Sequence, residues 1–154
     1  SSDLPCNLYG INDNFHPMNS HVLPALIKRF HEAKLNNLSS VTCWGTGSPR
    51  REFLNSDDLA TALLFLMLNY NEKEIINIGY GEDVTIKDLT EMIKTVSGYN
   101  GEILWDSSKP DGTPKRLLDV KKLFDLGWRP KIKLQDGLET TYKWFQENYS
   151  NVRK

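Results

Sequence analysis

The chain is poor in cysteine, carries almost no net charge and has no long apolar run. Its two cysteines among 154 residues, Cys6 and Cys43, show no metal-ligand spacing. Two thiols make a disulfide framework improbable, so a reducing, cytoplasmic setting is expected. The longest apolar run, residues 59–68, includes Thr61 and is too short to cross a bilayer. No secretory signal pattern opens the chain. A formal net charge of −1 argues against nucleic acid or an anionic membrane as partner of the whole molecule. Histidine is also scarce, with three in all, and no His/Cys/carboxylate spacing points to a metal.

What remains is ordinary for a globular domain with its own core: 39% apolar and 25% charged residues. The charge is unevenly spread. Residues 109–133 hold eight basic and three acidic side chains. A local basic surface on a neutral chain suits a small anion better than a long polyanion.

Periodicity and punctuation predict alternating strands and helices, hence an α/β (mixed α+β) class. Residues 4–9 read as a strand end stopped by Gly10, and residues 12–19 as loop. A helix follows, with Asn19 or Ser20 as N-cap, Pro24 in its first turn and Val22, Leu26, Phe30 and Ala33 on its apolar face. Short strands are expected at 41–44, 51–54 and 103–105, and a core strand at 75–78. Ser56 is expected to cap a buried helix over 57–69, with Asp57 and Asp58 favoured by its dipole. Thr85-x-x-Asp88 resembles a capping box, and Gly98 stops that helix. Residues 109–116 form a polar loop, 120–126 a short helix and 135–149 a last helix with Leu138, Tyr142 and Phe145 on one side. His16 and His31 are assigned to the surface.

Three stretches resemble extended short-chain dehydrogenases/reductases acting on sugar nucleotides. They are Arg51-Glu-Phe-Leu-Asn-Ser-Asp-Asp-Leu-Ala60, Asn77-Ile-Gly-Tyr-Gly-Glu-Asp-Val-Thr-Ile-Lys-Asp-Leu89 and Leu126-Gly-Trp-Arg-Pro130 with Leu134-Gln-Asp-Gly-Leu138. Two more narrow the resemblance to the GDP-L-fucose synthase branch. They are Asn7-Leu-Tyr-Gly10 continuing through Asp13-Asn-Phe-His-Pro-Met-Asn-Ser-His21 to Ala33, and Lys109-Pro-Asp-Gly-Thr-Pro-Lys-Arg-Leu-Leu-Asp119.

The resemblance implies that residues 4–150 form the small C-terminal, substrate-binding domain, lacking most of the Rossmann domain. The family's Gly-x-x-Gly-x-x-Gly phosphate loop does not occur here. Its Tyr-x-x-x-Lys pair precedes the matched region. Tyr142 has Gln146 four residues on and is no substitute, and Cys6 stands where relatives usually have Thr. The whole enzyme is then expected to use NADP(H) to epimerise and reduce GDP-4-keto-6-deoxy-mannose to GDP-L-fucose, and to be a homodimer. This chain alone is expected to be inactive, with no firm cofactor of its own.

Residue by residue, the resemblance gives His21 a catalytic role. Inversion beside a keto group needs an acid on one face and a base on the other, and histidine titrates near neutrality. It gives Arg29, Trp44, Arg51, Asp111 and Arg116 to the substrate. Pro5, Asn7 and Leu8, with His21, are given to the cofactor's nicotinamide end. An aromatic plate can stack on a guanine, and an arginine fork can hold two phosphate oxygens. Bland alternatives stand beside these: core packing for Trp44, an ion pair with Asp57 or Asp58 for Arg51, a turn role for Asp111. From His21, Arg29 lies about 12 Å along the helix and roughly 80° around it, and Lys28 lies nearer the His21 line. Geometry alone does not choose between them. Lys109 and Lys115 read as solvated face. Two other functions compete: another sugar-nucleotide epimerase or reductase, and a non-catalytic sugar-nucleotide-binding module.

Overall fold

The computed structural model describes residues 6–16 and 19–152. Along the chain run β1 (Asn7–Tyr9), α1 (Val22–Leu35), β2 (Ser40–Trp44), β3 (Arg50–Asn55), α2 (Ser56–Asn69) and β4 (Asp83–Thr85). Then come α3 (Ile86–Ser97), β5 (Glu102–Asp106), β6 (Lys115–Arg116), α4 (Lys121–Asp125) and α5 (Leu134–Asn148). The architecture is the expected mixture of helices and mostly parallel strands.

Two small sheets organise it. β2 and β5 pair in parallel, Val41 opposite Ile103 and Trp44 opposite Asp106. β3 is the hub of the other. Its C-terminal half pairs in parallel with β1, Phe53 opposite Asn7. Its N-terminal half pairs antiparallel with β4 and parallel with β6. The larger core lies where α1, α3 and α5 meet, around Phe15, Leu23, Phe30, Leu89, Leu138 and Phe145. A smaller one joins Cys6, Leu54, Ala62, Leu123 and Trp128.

Local chemistry explains the helix ends. Thr85 Oγ1 accepts the Asp88 N–H at 2.9 Å, the capping bond the sequence predicts. Gly98 closes α3 in a left-handed conformation, φ 66°. The α2 cap is Asn55 rather than Ser56: its side chain accepts the Asp57 N–H at 2.9 Å. α1 starts on His21 itself, whose side chain makes no capping bond.

Beyond these caps, three further expectations fail. First, α2 is not a buried helix. Only Asp58 and Ala62 are buried along it, while Leu64, Met67 and Leu68 stand 59%, 81% and 76% exposed. A helix apolar all round gives no polar face to mark which side is in. Second, residues 75–78 form no strand. Ile76 and Ile78 pack into the smaller core, but Ile75 is exposed and no ladder forms. Third, His31 is buried rather than superficial. Its Nδ1 lies 3.1 Å from the Tyr142 hydroxyl, against Phe145 and Tyr149. It sits one turn after Ile27, on the core side of α1, and burial lowers its pKa below the usual histidine value. His16 is half-buried.

Candidate functional site

Two hollows of about 160 and 220 Å³ adjoin at the N-terminal end of α1 and share Val22, Trp44 and Ile86. The first runs toward Arg29 and Trp105, the second toward Arg51, Pro110, Asp111 and Gly112. Trp44 lines both. Strand alternation in β2 turns Cys43 inward and Trp44 outward. The indole is 71% exposed, so core packing does not account for it.

Two glycines shape the turn after Trp44. Gly45 and Gly47 both hold positive φ, 80° and 76°. A Cβ on Gly45 would collide with Asp111, and one on Gly47 would lie 2.7 Å from the Trp105 ring. The turn therefore packs directly on the 109–112 loop.

Asp111 fastens the two loops. Its Oδ1 accepts the Thr46 N–H at 2.9 Å, and its Oδ2 accepts the Thr46 hydroxyl at 2.6 Å and the Ser48 hydroxyl at 3.4 Å. These bonds, the Thr46 hydroxyl's above all, hold the carboxyl below its usual value. The carboxylate is thus engaged with the 46–48 turn rather than with the backbone around Gly112.

Arg51 makes no ion pair with Asp57 or Asp58. The buried Asp58 carboxylate instead accepts the Lys131 and Ile132 N–H groups at 3.1 and 2.9 Å. Arg51 Nη1 donates to its neighbour's Arg50 carbonyl at 2.8 Å, and its Nη2 lies beside Gly112. Arg116 stands opposite Arg51 across the β3–β6 pairing. Burial, then the Arg116 charge, lowers the Arg51 pKa. Arg50 and Lys115 both pair with Asp83, at 2.6 and 3.2 Å. Among the described residues, Arg51 and Arg116 have no carboxylate partner, so positive charge is left along this edge.

The structure separates Arg29 from Lys28. Lys28 pairs loosely with Glu32 at 3.9 Å. Arg29 donates from Nη1 to the Thr42 carbonyl at 3.0 Å and lines the groove. His21 is exposed at the start of α1, next to groove-lining Val22. Asp13 lies within its electrostatic reach. Burial raises the Asp13 carboxyl pKa, while the Asn14 N–H and the His21 charge act the other way.

Residues 4–79 match the model of the NAD dependent epimerase/dehydratase family. Over 153 residues the chain is 58% identical to a protein from Oryza sativa subsp. japonica named Probable GDP-L-fucose synthase 1, covering 99% of this chain and 47% of that one. It is 49% identical to the GDP-L-fucose synthase of Escherichia coli strain K12, covering 99% of this chain and 50% of that one. A crystal structure of a GDP-L-fucose synthetase from Naegleria fowleri bound to NADP superposes with TM-score 0.92 at 33% identity, over 97% of this chain and 47% of that one. The chain is thus similar, over just under half its length, to the NAD dependent epimerase/dehydratase family. It spans about half the length of the curated relatives it matches.

Of the cofactor candidates, His21 sits beside the groove, whereas Asn7 and Leu8 do not line it. Pro5 lies outside the described residues. Asn7 turns its side-chain amide to the Glu52 carbonyl at 3.0 Å. Leu8 lines a third hollow, about 220 Å³, with Gly10, Ile11, Asp13 and Ser56. It opens at the C-terminal end of parallel β1, the sheet edge where ligands of such folds bind. The chain offers no glycine-rich turn for a dinucleotide's phosphates.

One residue that supports this site gave no signal of its own in the sequence. Glu52, 1% exposed, accepts the Gly81 N–H at 2.7 Å and the Leu118 N–H at 3.1 Å. It ties β3 to the 79–81 turn and to the segment after β6, which keeps Arg51 beside Arg116. The nearest hint is its setting between an arginine and an apolar strand, followed by Gly79 and Gly81.

Among the described residues, no group of three His, Cys, Asp or Glu side chains gathers as metal ligands. Nor, among the described residues, is any helix long and apolar enough to cross a membrane.

Proposed function

We propose that this chain is the sugar-nucleotide-binding part, residues 4–150, of an NADP(H)-dependent enzyme that converts GDP-4-keto-6-deoxy-mannose to GDP-L-fucose. One observation carries the reading. An exposed indole, Trp44, and an unpaired guanidinium, Arg51, face one groove, with a second unpaired guanidinium, Arg116, beside Arg51. That arrangement matches a flat base followed by a diphosphate.

In this reading Trp44 carries the guanine face. Arg51 and Arg116 hold the phosphates, where an anion also relieves their mutual repulsion. Arg29 borders the far part of the groove and faces the sugar. His21, at the α1 end, moves a proton through an imidazole nitrogen at a carbon next to the keto group. Asp111 acts through the loops it fastens. When bound, NADPH supplies the hydride. Asn7 and Leu8 place the end of β1 against its nicotinamide ring, and Pro5 belongs to the same stretch. Residues outside this chain hold its phosphates and complete the acid–base set, so the chain alone binds the nucleotide weakly and turns nothing over. The whole protein is a homodimer joined through those other residues, and its buried free thiols Cys6 and Cys43 suit the cytoplasm.

Calorimetric or ligand-observed NMR titration of the chain with GDP, UDP and dTDP tests the reading. GDP should bind most tightly, and Trp44→Ala and Arg51→Gln should each weaken it about tenfold or more. A preference for UDP would overturn the fucose assignment. Turnover of the keto-sugar nucleotide by this chain with NADPH would overturn the division of labour.

A further inference from the structure

Lys109 reads as solvated face in the sequence, yet the fold gives it a specific address. Its backbone N–H bonds the Asp106 carbonyl at the end of β5, at 3.2 Å. The Asp106 side chain in turn accepts the Ser108 N–H at 3.1 Å, so the turn is fastened from both sides. From that anchor the Lys109 ammonium sits 5.8 Å from the centre of the Trp44 ring. Among the described residues it has no carboxylate partner, in contrast to Lys115, which Asp83 holds.

The neighbouring candidate for reading a base, Asp111, is already committed. Both its carboxylate oxygens accept hydrogen bonds from Thr46, and one also from Ser48. An acceptor-only side chain so engaged is poorly placed to take two further N–H donors from a guanine. The free polar head next to the indole is a donor, not an acceptor.

We propose that Lys109 is the residue that selects the base, donating to O6 and N7 of a purine stacked on Trp44, and that Asp111 only holds the loop that carries it. This rests on the nucleotide-binding reading above and deepens it. Guanine presents two acceptors, O6 and N7, on one edge, whereas adenine pairs its N7 acceptor with an amino donor. An ammonium beside the stacked ring therefore favours guanine. It is blind to the 2-amino group on the opposite edge. The indole attracts the ammonium in the free protein, and the arriving base takes its place as the partner.

The test is a ligand-observed NMR titration of the chain with GDP, IDP, ADP and UDP, in the wild type and in Lys109→Met, Lys109→Arg and Asp111→Asn. The wild type should bind IDP within about twofold of GDP and ADP about tenfold more weakly. Lys109→Met should lose about tenfold for GDP and IDP while ADP changes less than twofold, and Lys109→Arg should restore the preference. Asp111→Asn should weaken all four nucleotides alike. The assignment is overturned if Lys109→Met keeps the GDP-over-ADP ratio, or if IDP binds about tenfold more weakly than GDP, which would give the base-reading role to an acceptor. Wild-type chain binding GDP and ADP equally sinks this inference alone. Binding no nucleotide at all sinks the reading beneath it.

Discussion

Arg51 and Arg116 stand opposite one another on adjacent parallel strands, two guanidinium groups with no carboxylate partner among the described residues. Like charges across a strand pair destabilise the free protein. The Glu52 carboxylate, holding Leu118, keeps them there. A bound anion should therefore stabilise the fold as well as occupy the site. Thermal melts with increasing phosphate should show a higher Tm for the wild type and a clearly smaller rise for Arg51→Gln. In phosphate-free buffer, Arg51→Gln should melt no lower than the wild type, because it removes a repulsion. A lower melt there would assign Arg51 a structural role.

Asp58 joins the first residues of α2 to the closing segment of the chain. Its buried carboxylate takes the Lys131 and Ile132 N–H groups. Asp58→Ala leaves two part-buried donors without their acceptor and should cost about 1–3 kcal/mol. Asp58→Asn, which keeps one acceptor but sets an amino group against a donor, should fall between. Urea unfolding followed by tryptophan fluorescence measures both. A loss below about 0.5 kcal/mol for Asp58→Ala would show that the segment after Pro130 contributes little to the fold.

The Asp83 side chain is only 6% exposed, and loss of solvent is the largest single influence on it, acting to raise its pKa. The hydrogen bonds and charges of Arg50 and Lys115 together outweigh this, and the net pKa is lowered. A carboxyl lowered in the folded state stabilises it above the unfolded value of about 3.9, and the benefit disappears as pH falls through the folded value. The gap in urea stability between the wild type and Asp83→Asn should be roughly 1 kcal/mol at pH 7, discounted for the half-exposed Arg50 partner. It should hold to about pH 5 and close below pH 4. A gap that widened on acidification would refute the ion-pair account.

Local signals carried much of this fold, and long-range ones did not. The ends of α3 were legible because Thr85 and Gly98 act within a few residues of themselves. The placement of α1 and α5 followed from apolar spacing, as Leu26, Phe30, Leu138 and Phe145 all reach the core. His31 escaped because burial of a polar ring depends on Tyr142, 111 residues away. Asp58 read as a helix-dipole residue because its partners lie 73 and 74 residues on. The 75–78 stretch carries strand composition without a strand to pair with. At the groove, the resemblance pointed to Arg29, Trp44, Arg51, Asp111 and Arg116. Helix geometry left Arg29 and Lys28 open, and only the fold shows that Arg29 lines the groove, or that Asp111 is spent on Thr46 while Lys109 stands beside the indole.

The outer face of α2 sets the last expectation. Leu64, Met67 and Leu68 are well exposed on one helix, with Leu63 half exposed beside them. Contiguous apolar surface of this kind mediates association. The chain should therefore self-associate as concentration rises, through contacts that need no part of the groove. Replacing Leu64 and Leu68 with glutamate places charge where side chains already meet water, so folding stability should change by less than about 1 kcal/mol. Sedimentation velocity should show the wild type shifting toward larger species between dilute and concentrated samples and the double variant remaining a monomer. The variant's GDP titration should match the wild type's, because Trp44 and Arg51 lie on other elements. Equal association by both proteins would show that α2 is not the surface responsible and that its apolar face is tolerated in water.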